Sequence, residues 1–413
     1  MTVASGARPR RRLLFVAPWF LFPSDSGGKI RTRDILQGMK GGSFEITLAS
    51  PAPLDHDRWA AELSEISDRF VHWPEPARTG SKSRFRMLQL LAPLPLSVLS
   101  DRSPSARQLV AEELDRSPDV AVIDFAHTAI IFPQQTSVPT VLFTHNVEAE
   151  IFERHASIEK NVVKKWVWRS QARKMVEFES RALDRQDAVI AVSERDKEIL
   201  EQRYGIANGK AIPTGVAVER FRYTPPSAGR GQKLVFTGSM DWAPNVDGVA
   251  YFMDRIWPQI AEARAGVQFT VVGRNPPKQL ISDAKRRGLP WRFTGFVDDV
   301  RPHISDCDVY IIPLRVGSGT RIKAFEAMAL GCPVVSTSIG IEGLELTSEE
   351  HCLIADTPET FAKAVIRMLD DGGLRADLSH KAREYVVERF SAERVAREFE
   401  EICLRMCSTA TSA

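Results

Sequence analysis

Two cations and one carboxylate, Arg321, Lys323 and Glu326, stand close together in GSGTRIKAFEAMALGCPVVS (317–336). Gly317 and Gly319 free the backbone at the end of an apolar run, DVYIIPLR (308–315). A helix opening at Gly319–Arg321, with Ser318 and Thr320 beside it, presents unpaired amides, and such an end attracts anions. Lys323 and Glu326 are three residues apart and share a helix face. A carboxylate inside the apolar AFEAMALG needs a partner. A nucleoside diphosphate fits this set: its phosphates meet the amides and cations, and its ribose diol donates to Glu326. The plainer alternative makes Glu326 a helix-surface partner of Lys323 or Arg321.

A second glycine-rich stretch, FLFPSDSGGKIRTRDIL (20–36), places Gly27, Gly28 and Lys29 at a helix start. It is not a phosphate loop, because Pro23 stands where the spacing requires Gly and Ile30 where it requires Ser or Thr. No G-x-G-x-x-G follows a strand, which disfavours a dinucleotide dehydrogenase. What remains is backbone that approaches a ligand at Gly27 and Gly28 with charge from Lys29, or a flexible connector. His127 and His145 each lie at the end of an apolar run, and Asn146 follows the second. Either histidine also suits a core position satisfied by backbone.

These residues need elements to hold them. Apolar runs predict strands at 13–18, 45–50, 69–73, 120–125, 140–145 and 188–193. A second set follows at 233–239, 268–274, 291–297, 308–314, 332–337 and 352–356. Helical patterns alternate with them, as in NVDGVAYFMDRIWPQIAEARA (245–265). Strands this apolar are covered on both faces, which predicts parallel sheets in an α/β chain with two doubly wound, Rossmann-like domains facing each other. A stretch rich in Pro, Gly and Ser at 222–232 predicts the linker between a first domain (1–221) and a second (233–390). A final amphipathic helix and tail occupy 391–413. Ligands of such sheets sit beyond the carboxyl ends of the strands, where the stretches above fall.

The chain has 413 residues, long enough for two cores, and 43% are hydrophobic and 26% charged, a soluble globular composition. A net charge of +2 gives no case for nucleic-acid binding. The basic run Arg8–Arg12 reads as a solvated tail, since the apolar run behind it stops at Pro18 and argues against a secretory signal. Five cysteines without such a signal suggest reduced thiols in a cytoplasm, and Cys403 and Cys407 read as small buried residues.

The whole pattern resembles the family 4 (group 1) retaining glycosyltransferases, which have the GT-B fold. The resemblance is carried by GGKIR (27–31), THNVE (144–148), IPTGV (212–216), FTGSMDWAPNVDGV (236–249), VVGRNPP (271–277), FTGFVDDV (293–300) and, most specifically, GSGTRIKAFEAMALGCPVV (317–335). It implies a nucleoside-diphosphate sugar as donor, a hydroxyl acceptor, and a terminal helix crossing back to the first domain. Glu326 matches the second of the family's two motif glutamates, which binds donor ribose. Ser318 stands where the first would fall, so no carboxylate there serves as nucleophile or base. The loop GSMDWAPN, with Gly238 and Ser239, lacks the Arg and Lys that many relatives use on the diphosphate. Arg321 and Lys323, joined by Arg274, would supply that charge. Phe296 or Trp242 would wall the base or simply pack. His145 matches a histidine that contacts donor sugar or acceptor. Gly27, Gly28, Lys29, His127 and Asn146 fall on the acceptor side.

No metal or other cofactor is expected: the two D-x-D matches, 55–57 and 306–308, are short enough to be accidental. Two basic and apolar stretches, 81–99 and 160–178, are either peripheral contacts with an anionic membrane, at its inner face and near a lipid-linked acceptor, or ordinary helices packed on a core. A nucleotide-sugar 2-epimerase and a non-catalytic sugar- or nucleotide-binding protein remain the competing readings.

Overall fold

The computed structural model describes residues 10–75, 90–159, 161–226, 229, 231–316 and 322–409. Ser318, Gly319, Thr320 and Arg321 lie outside the described residues, as does the first part, 81–89, of the basic stretch at 81–99. The chain forms two compact units, Met1–Gly215 with Ala392–Ala413, and Val216–Ser391.

In the first unit the strands are β1 (Arg11–Val16), β2 (Phe44–Ala52), β3 (Arg69–Pro74), β4 (Val120–Asp124), β5 (Thr140–Phe143), β6 (Ala188–Ala191) and β7 (Gly209–Ala211). They pair in parallel in the order β3-β2-β1-β4-β5-β6-β7. β4, β5 and β6 are buried at every position, as strands covered on both faces must be. β7 has no apolar run; its GKA sequence carries no strand signal and it pairs only with β6.

The second unit holds β8 (Lys233–Thr237), β9 (Gln268–Val272), β10 (Trp291–Phe293), β11 (Val309–Ile312), β12 (Val334–Ser336) and β13 (Leu353–Ile354). These too are parallel, in the order β10-β9-β8-β11-β12-β13. The predicted long helix after β8 runs from Ala243 to Ala263 but contains one wide π turn, Phe252–Ile256. Pro258 explains it: proline lacks an N–H and its ring crowds the carbonyl four residues back, which the wider turn relieves.

The final helix, Ala392–Thr409, belongs to the first unit. Its spacing of Val395, Phe399, Cys403 and Cys407 puts one apolar stripe into that core, with Phe399 against Phe15 and Phe143. The helix Gly27–Met39 passes so close that a Cβ on Gly38 would lie 2.4 Å from Ala396 Cβ.

Two local expectations change, and a pair of alternatives left open gains detail. The passage between units falls at Gly215/Val216, and the stretch at 222–232 belongs to the second unit, where the Thr224 and Gly231 amides donate to Leu330 O and Leu369 O at 2.9 Å each. The end of the basic run is no free tail: Arg11 and Arg12 open β1, and Arg12 donates to Arg116 O at 2.9 Å and Ser117 O at 2.6 Å. The stretch at 160–178 forms the start of a helix, Val162–Asp184, that buries Ala172, Met175, Phe178 and Leu183 but leaves Val162, Val163 and Trp166 exposed.

Candidate functional site

Each sheet winds one way from its first strand and then the other. The connections that leave the carboxyl ends of the paired strands β1 and β4 therefore diverge, as do those after β8 and β11, and such switch points are where doubly wound sheets bind ligands.

In the second unit the crevice beyond β8 and β11 is occupied by Lys323. It sits in the first turn of the helix Ile322–Leu330, whose apolar residues Ile322, Ala324, Phe325, Ala327, Met328, Ala329 and Leu330 are all buried. That burial fixes the face on which half-buried Lys323 and Glu326 stand. Lys323 Nζ donates to Asn245 Oδ1 at 2.9 Å, approaches Thr237 O at 3.4 Å, and lies 4.5 Å from the Phe236 ring centroid. One ammonium thus touches the end of β8 and the helix that follows it. Gly238 makes room: a Cβ there would come within 2.6 Å of Asn245 Nδ2, and one on Gly273 within 1.9 Å of Gly238 O.

Ser239 and Arg274 meet at the next position along the sheet edge. Arg274 Nε donates to Ser239 Oγ at 3.1 Å and to Asp241 Oδ2 at 3.0 Å, and Asn275 Nδ2 reaches the same carboxylate at 3.1 Å. Gly295 bridges to Gly273, which brings the exposed Phe296 beside this loop; Phe296 is 71% and Trp242 39% accessible. Arg315, just past β11, holds Asp247 with two hydrogen bonds of 2.6 and 3.1 Å and lies over the Tyr251 ring. Asp241 and Arg315 were not singled out from the sequence; a charged residue just past each strand end was the available signal.

In the first unit, Asp124 ends β4 and organises the crevice. His145 Nε2 pairs with Asp124 Oδ1 at 2.6 Å, and Thr32 Oγ1 donates to Asp124 Oδ2 at 2.9 Å. His145 is 4% accessible, and its Nδ1 has no partner among the described residues. Phe125 covers it, stacked at 3.7 Å and 3°, with a positive φ of 65° that is uncommon for a bulky residue. Gly28 accommodates that ring, since a Cβ there would lie 2.7 Å from Phe125 Cζ. Gly27 opens the helix and Lys29 turns to Asp25, 3.3 Å away.

Arg31 lies in the same helix, 1% accessible, with Nε and both Nη atoms unpartnered among the described residues. Burial lowers it to about 9, opposed by the charges of Asp196 and Asp124. Burial also lowers His145, against the pull of Asp124.

His127 stands 3.8 Å from Asp101, beside Phe125 and the half-exposed Trp19. Burial, then the charge of His145, brings it down to about 4, while burial raises Asp101 to about 6. Asn146 hydrogen-bonds Glu148, whose carboxyl is raised to about 7 by burial and then by Glu179. Glu179 in turn accepts from the Glu148 and Ala149 amides at 2.8 and 3.2 Å, at the start of the helix Glu148–Ile158. Asp124, Arg31 and Glu148 were not anticipated, because Thr32 and His145 on Asp124, Asp196 and Asp124 near Arg31, and Glu179 near Glu148 are distant in sequence. Among the described residues no cluster of His, Cys, Asp or Glu forms a metal site. Asp308 accepts from the Gln232 and Lys233 amides at 2.7 and 2.9 Å, and Asp306 pairs with Lys233 at 2.8 Å.

Two parallel, doubly wound sheets of this order define the GT-B fold, and solved structures share it. Sucrose-phosphate synthase from Thermosynechococcus elongatus superposes with a TM-score of 0.74 at 15% identity, covering 97% of this chain and 100% of that one. HepE from Anabaena, solved in complex with UDP-glucose, gives 0.67 at 15% identity over 98% and 100%. Residues 44–220 match the family described as Glycosyltransferase Family 4, and residues 231–371 that described as Glycosyl transferases group 1. The chain belongs to these group 1, family 4 glycosyltransferases. A phosphatidyl-myo-inositol mannosyltransferase from Mycobacterium leprae is 31% identical over 193 residues, 45% of this chain and 50% of that protein. The chain spans about half the length of the curated relatives it matches. Among the described residues no helix is long and apolar enough to cross a membrane.

Proposed function

We propose that the protein is a retaining glycosyltransferase that moves a sugar from a nucleoside-diphosphate sugar to a hydroxyl acceptor, in the building of a glycan, polysaccharide or glycosylated metabolite. The observation that carries this reading is Lys323 at the β8–β11 switch point, held by Asn245 and Thr237 on the helix that the family-like motif opens. The difficult step is departure of the nucleoside diphosphate from the anomeric carbon. Negative charge grows on the leaving phosphate, and Lys323 with Arg321 and the amides of Ser318, Gly319 and Thr320 stabilise it. Glu326 accepts from the ribose diol, and Phe296 offers a face to the base. Arg274 is held by an exposed ion pair, worth about 0–1 kcal/mol, which a phosphate readily displaces.

The acceptor is assigned to the first unit, near Gly27, Gly28, Lys29, His127 and Asn146. His145 acts there as a positioning residue, since Asp124 holds its Nε2. With no carboxylate at Ser318, the leaving phosphate takes the acceptor's proton on the same face of the sugar. No metal is assigned a part, because the carboxylates of Asp306 and Asp308 are already engaged by Lys233 and by backbone amides. Activity lost to EDTA and restored by magnesium would reverse that assignment.

The exposed Val162, Val163 and Trp166, 80%, 71% and 67% accessible, flank Lys164 and Lys165. This favours peripheral contact with an anionic membrane at its cytoplasmic face, where a lipid-linked acceptor would be presented. Co-sedimentation with anionic but not neutral vesicles is expected, and equal recovery with both would remove the idea.

The first test is thermal unfolding against UDP, GDP, dTDP and ADP, with Lys323→Ala alongside. Relatives solved with UDP make it the first nucleotide to try. Ligand at about 100 times its Kd adds roughly 2.7 kcal/mol, a rise of a few degrees. A rise with one diphosphate that disappears in the variant supports the site. No rise with any would favour a scaffold without this ligand. Product formed only when an acceptor is present separates the transferase from an epimerase.

A further inference from the structure

Cys307 and Cys332 bring their sulfurs to 3.0 Å of each other although they are 25 residues apart in sequence. They lie at the amino ends of β11 and β12, neighbouring parallel strands with Tyr310 opposite Val334. The backbone fixes both. Cys307 Sγ donates to Ile304 O at 3.0 Å, and Asp308, the next residue, is anchored by the Gln232 and Lys233 amides. Cys332 follows Gly331, whose φ of 88° and close approach to Thr224 O, 2.6 Å from any Cβ, admit only glycine. The Cys332 amide donates to Ala327 O at 2.9 Å. Both cysteines line a cavity of about 390 Å³ together with Thr224, Pro225, Lys233 and Asp306. A disulfide bond is about 2.05 Å long, so the sulfurs need close by only about an ångström.

We propose that Cys307 and Cys332 form a redox-responsive dithiol site, which a small disulfide of the glutathione class oxidises through this cavity to an intramolecular disulfide. The Cys307 thiolate attacks one sulfur of the small disulfide, forming a mixed disulfide and releasing one thiol. Cys332 then attacks Cys307 Sγ and releases the second thiol. The protein loses two protons and two electrons, and one small disulfide becomes two thiols. Cys307, the less buried of the two, is the point of entry. Burial, then Cys332, Asp308 and Asp306, raise its thiol well above the usual range, so the reaction quickens as the pH is raised. The ring closed by the new bond runs through β11, Lys323 and Glu326, and so ties the far end of the nucleotide helix to the oxidation state of the solution.

The full chain is incubated with glutathione disulfide, alkylated and weighed intact, then digested. The expected result is loss of two hydrogen masses, one peptide pair joining Cys307 to Cys332, reversal by dithiothreitol, and a Tm raised by a few degrees. Cys307→Ser should show neither the mass loss nor the peptide pair. Cys332→Ser should stop at a glutathione adduct on Cys307, and either variant suffices if the other fails to fold. An unchanged mass, a lasting glutathione adduct in the wild type, or a disulfide mapped to Cys403 and Cys407 would each overturn the proposal.

Discussion

The two switch-point crevices use charge in opposite ways. Beyond β8 and β11 the ionisable groups are half-exposed and already paired over short distances: Lys323 with Asn245, Arg274 with Asp241, Arg315 with Asp247. Beyond β1 and β4 they are buried, and several polar atoms have no partner among the described residues: all three Arg31 guanidinium nitrogens, His145 Nδ1 and His127 Nε2. A paired, partly wet charge can exchange its partner for a ligand at small cost. A buried one is bound up with the fold itself, because taking it out of balance leaves an uncompensated charge. Substitutions in the second unit should therefore act on ligand and rate, and those in the first on stability and its pH dependence.

The largest effect is expected from Lys323→Ala. Removing one prepositioned donor to a developing charge typically costs about 3–4 kcal/mol in the transition state, about two to three orders of magnitude in kcat. The fold should lose only about 1 kcal/mol, the value of the hydrogen bond to Asn245. Steady-state rates and urea unfolding of the same preparation check both halves. A near-normal rate removes Lys323 from the chemistry, and a collapse of stability erases the contrast between the units.

Asp124→Asn comes next and should act the other way round. It takes away a charge that offsets buried Arg31 and gives Thr32 Oγ1 an amide in place of a carboxylate oxygen. Arg31 and Asp124 make no direct contact, so the change costs less than breaking a buried ion pair, about 1–3 kcal/mol, part of it from the uncompensated Arg31 charge. The Arg31→Met change added to it should recover that part of the loss, since no buried cation then remains. Chemical denaturation of the single and double variants decides. A double variant no more stable than Asp124→Asn would mean that Arg31 is balanced by Asp196 instead.

Much of this contrast was invisible in the sequence, for a physical reason. The central strands, β4, β5, β6 and β11 among them, announce themselves as apolar runs, because a strand covered on both faces has no room for polar side chains, while the less buried β3 and β10 show only short mixed runs. Lys323 and Glu326 stand out because they interrupt an apolar helix. Asp124 also ends an apolar run, VAVID, yet nothing local marks it: Thr32 is 92 residues away and His145 is 21. Its role exists only once β1, β4 and β5 lie side by side. Gly28 has the same history. Its place in a glycine pair suggests a ligand, whereas the structure shows the Phe125 ring against it. The wide turn at Phe252–Ile256 could have been anticipated from Pro258, and β7 could not, since an edge strand of GKA is held by backbone alone.

The pH dependence of the first unit sharpens the comparison further. Glu148, raised to about 7, is held in its protonated form by the fold. Its contribution is fully present below the ordinary carboxylate value near 4.5 and is lost as pH rises through 7. His127, lowered to about 4, runs the opposite way: its contribution is present above the ordinary histidine value near 6.5 and is lost as pH falls toward 4. Glu148→Gln should remove only the first limb. Its Tm should equal that of wild type near pH 4.5 and exceed it by a few degrees above pH 7. A constant difference across the range would point to altered packing around Asn146 and not to charge.

The smallest effect belongs to Asp241→Asn, and it probes the exposed half of the comparison most directly. Arg274 and Asp241 are each nearly half accessible, 42% and 47%, so their ion pair is screened by solvent and worth about 0–1 kcal/mol. Stability should change by no more than about 0.5 kcal/mol. Ser239 Oγ still receives Arg274 Nε, which keeps the guanidinium near the end of β8. If a diphosphate must displace Asp241 to reach Arg274, removing the carboxylate charge returns that cost, and nucleotide affinity tightens by up to about fivefold. Calorimetric titration with the diphosphate that raises the wild-type Tm measures this. Unchanged affinity would leave Arg274 outside the binding set, and weakened affinity would mean that Asp241 holds Arg274 in the orientation the phosphates require. Either way the sign of a small number distinguishes a cation waiting behind its partner from one already aimed.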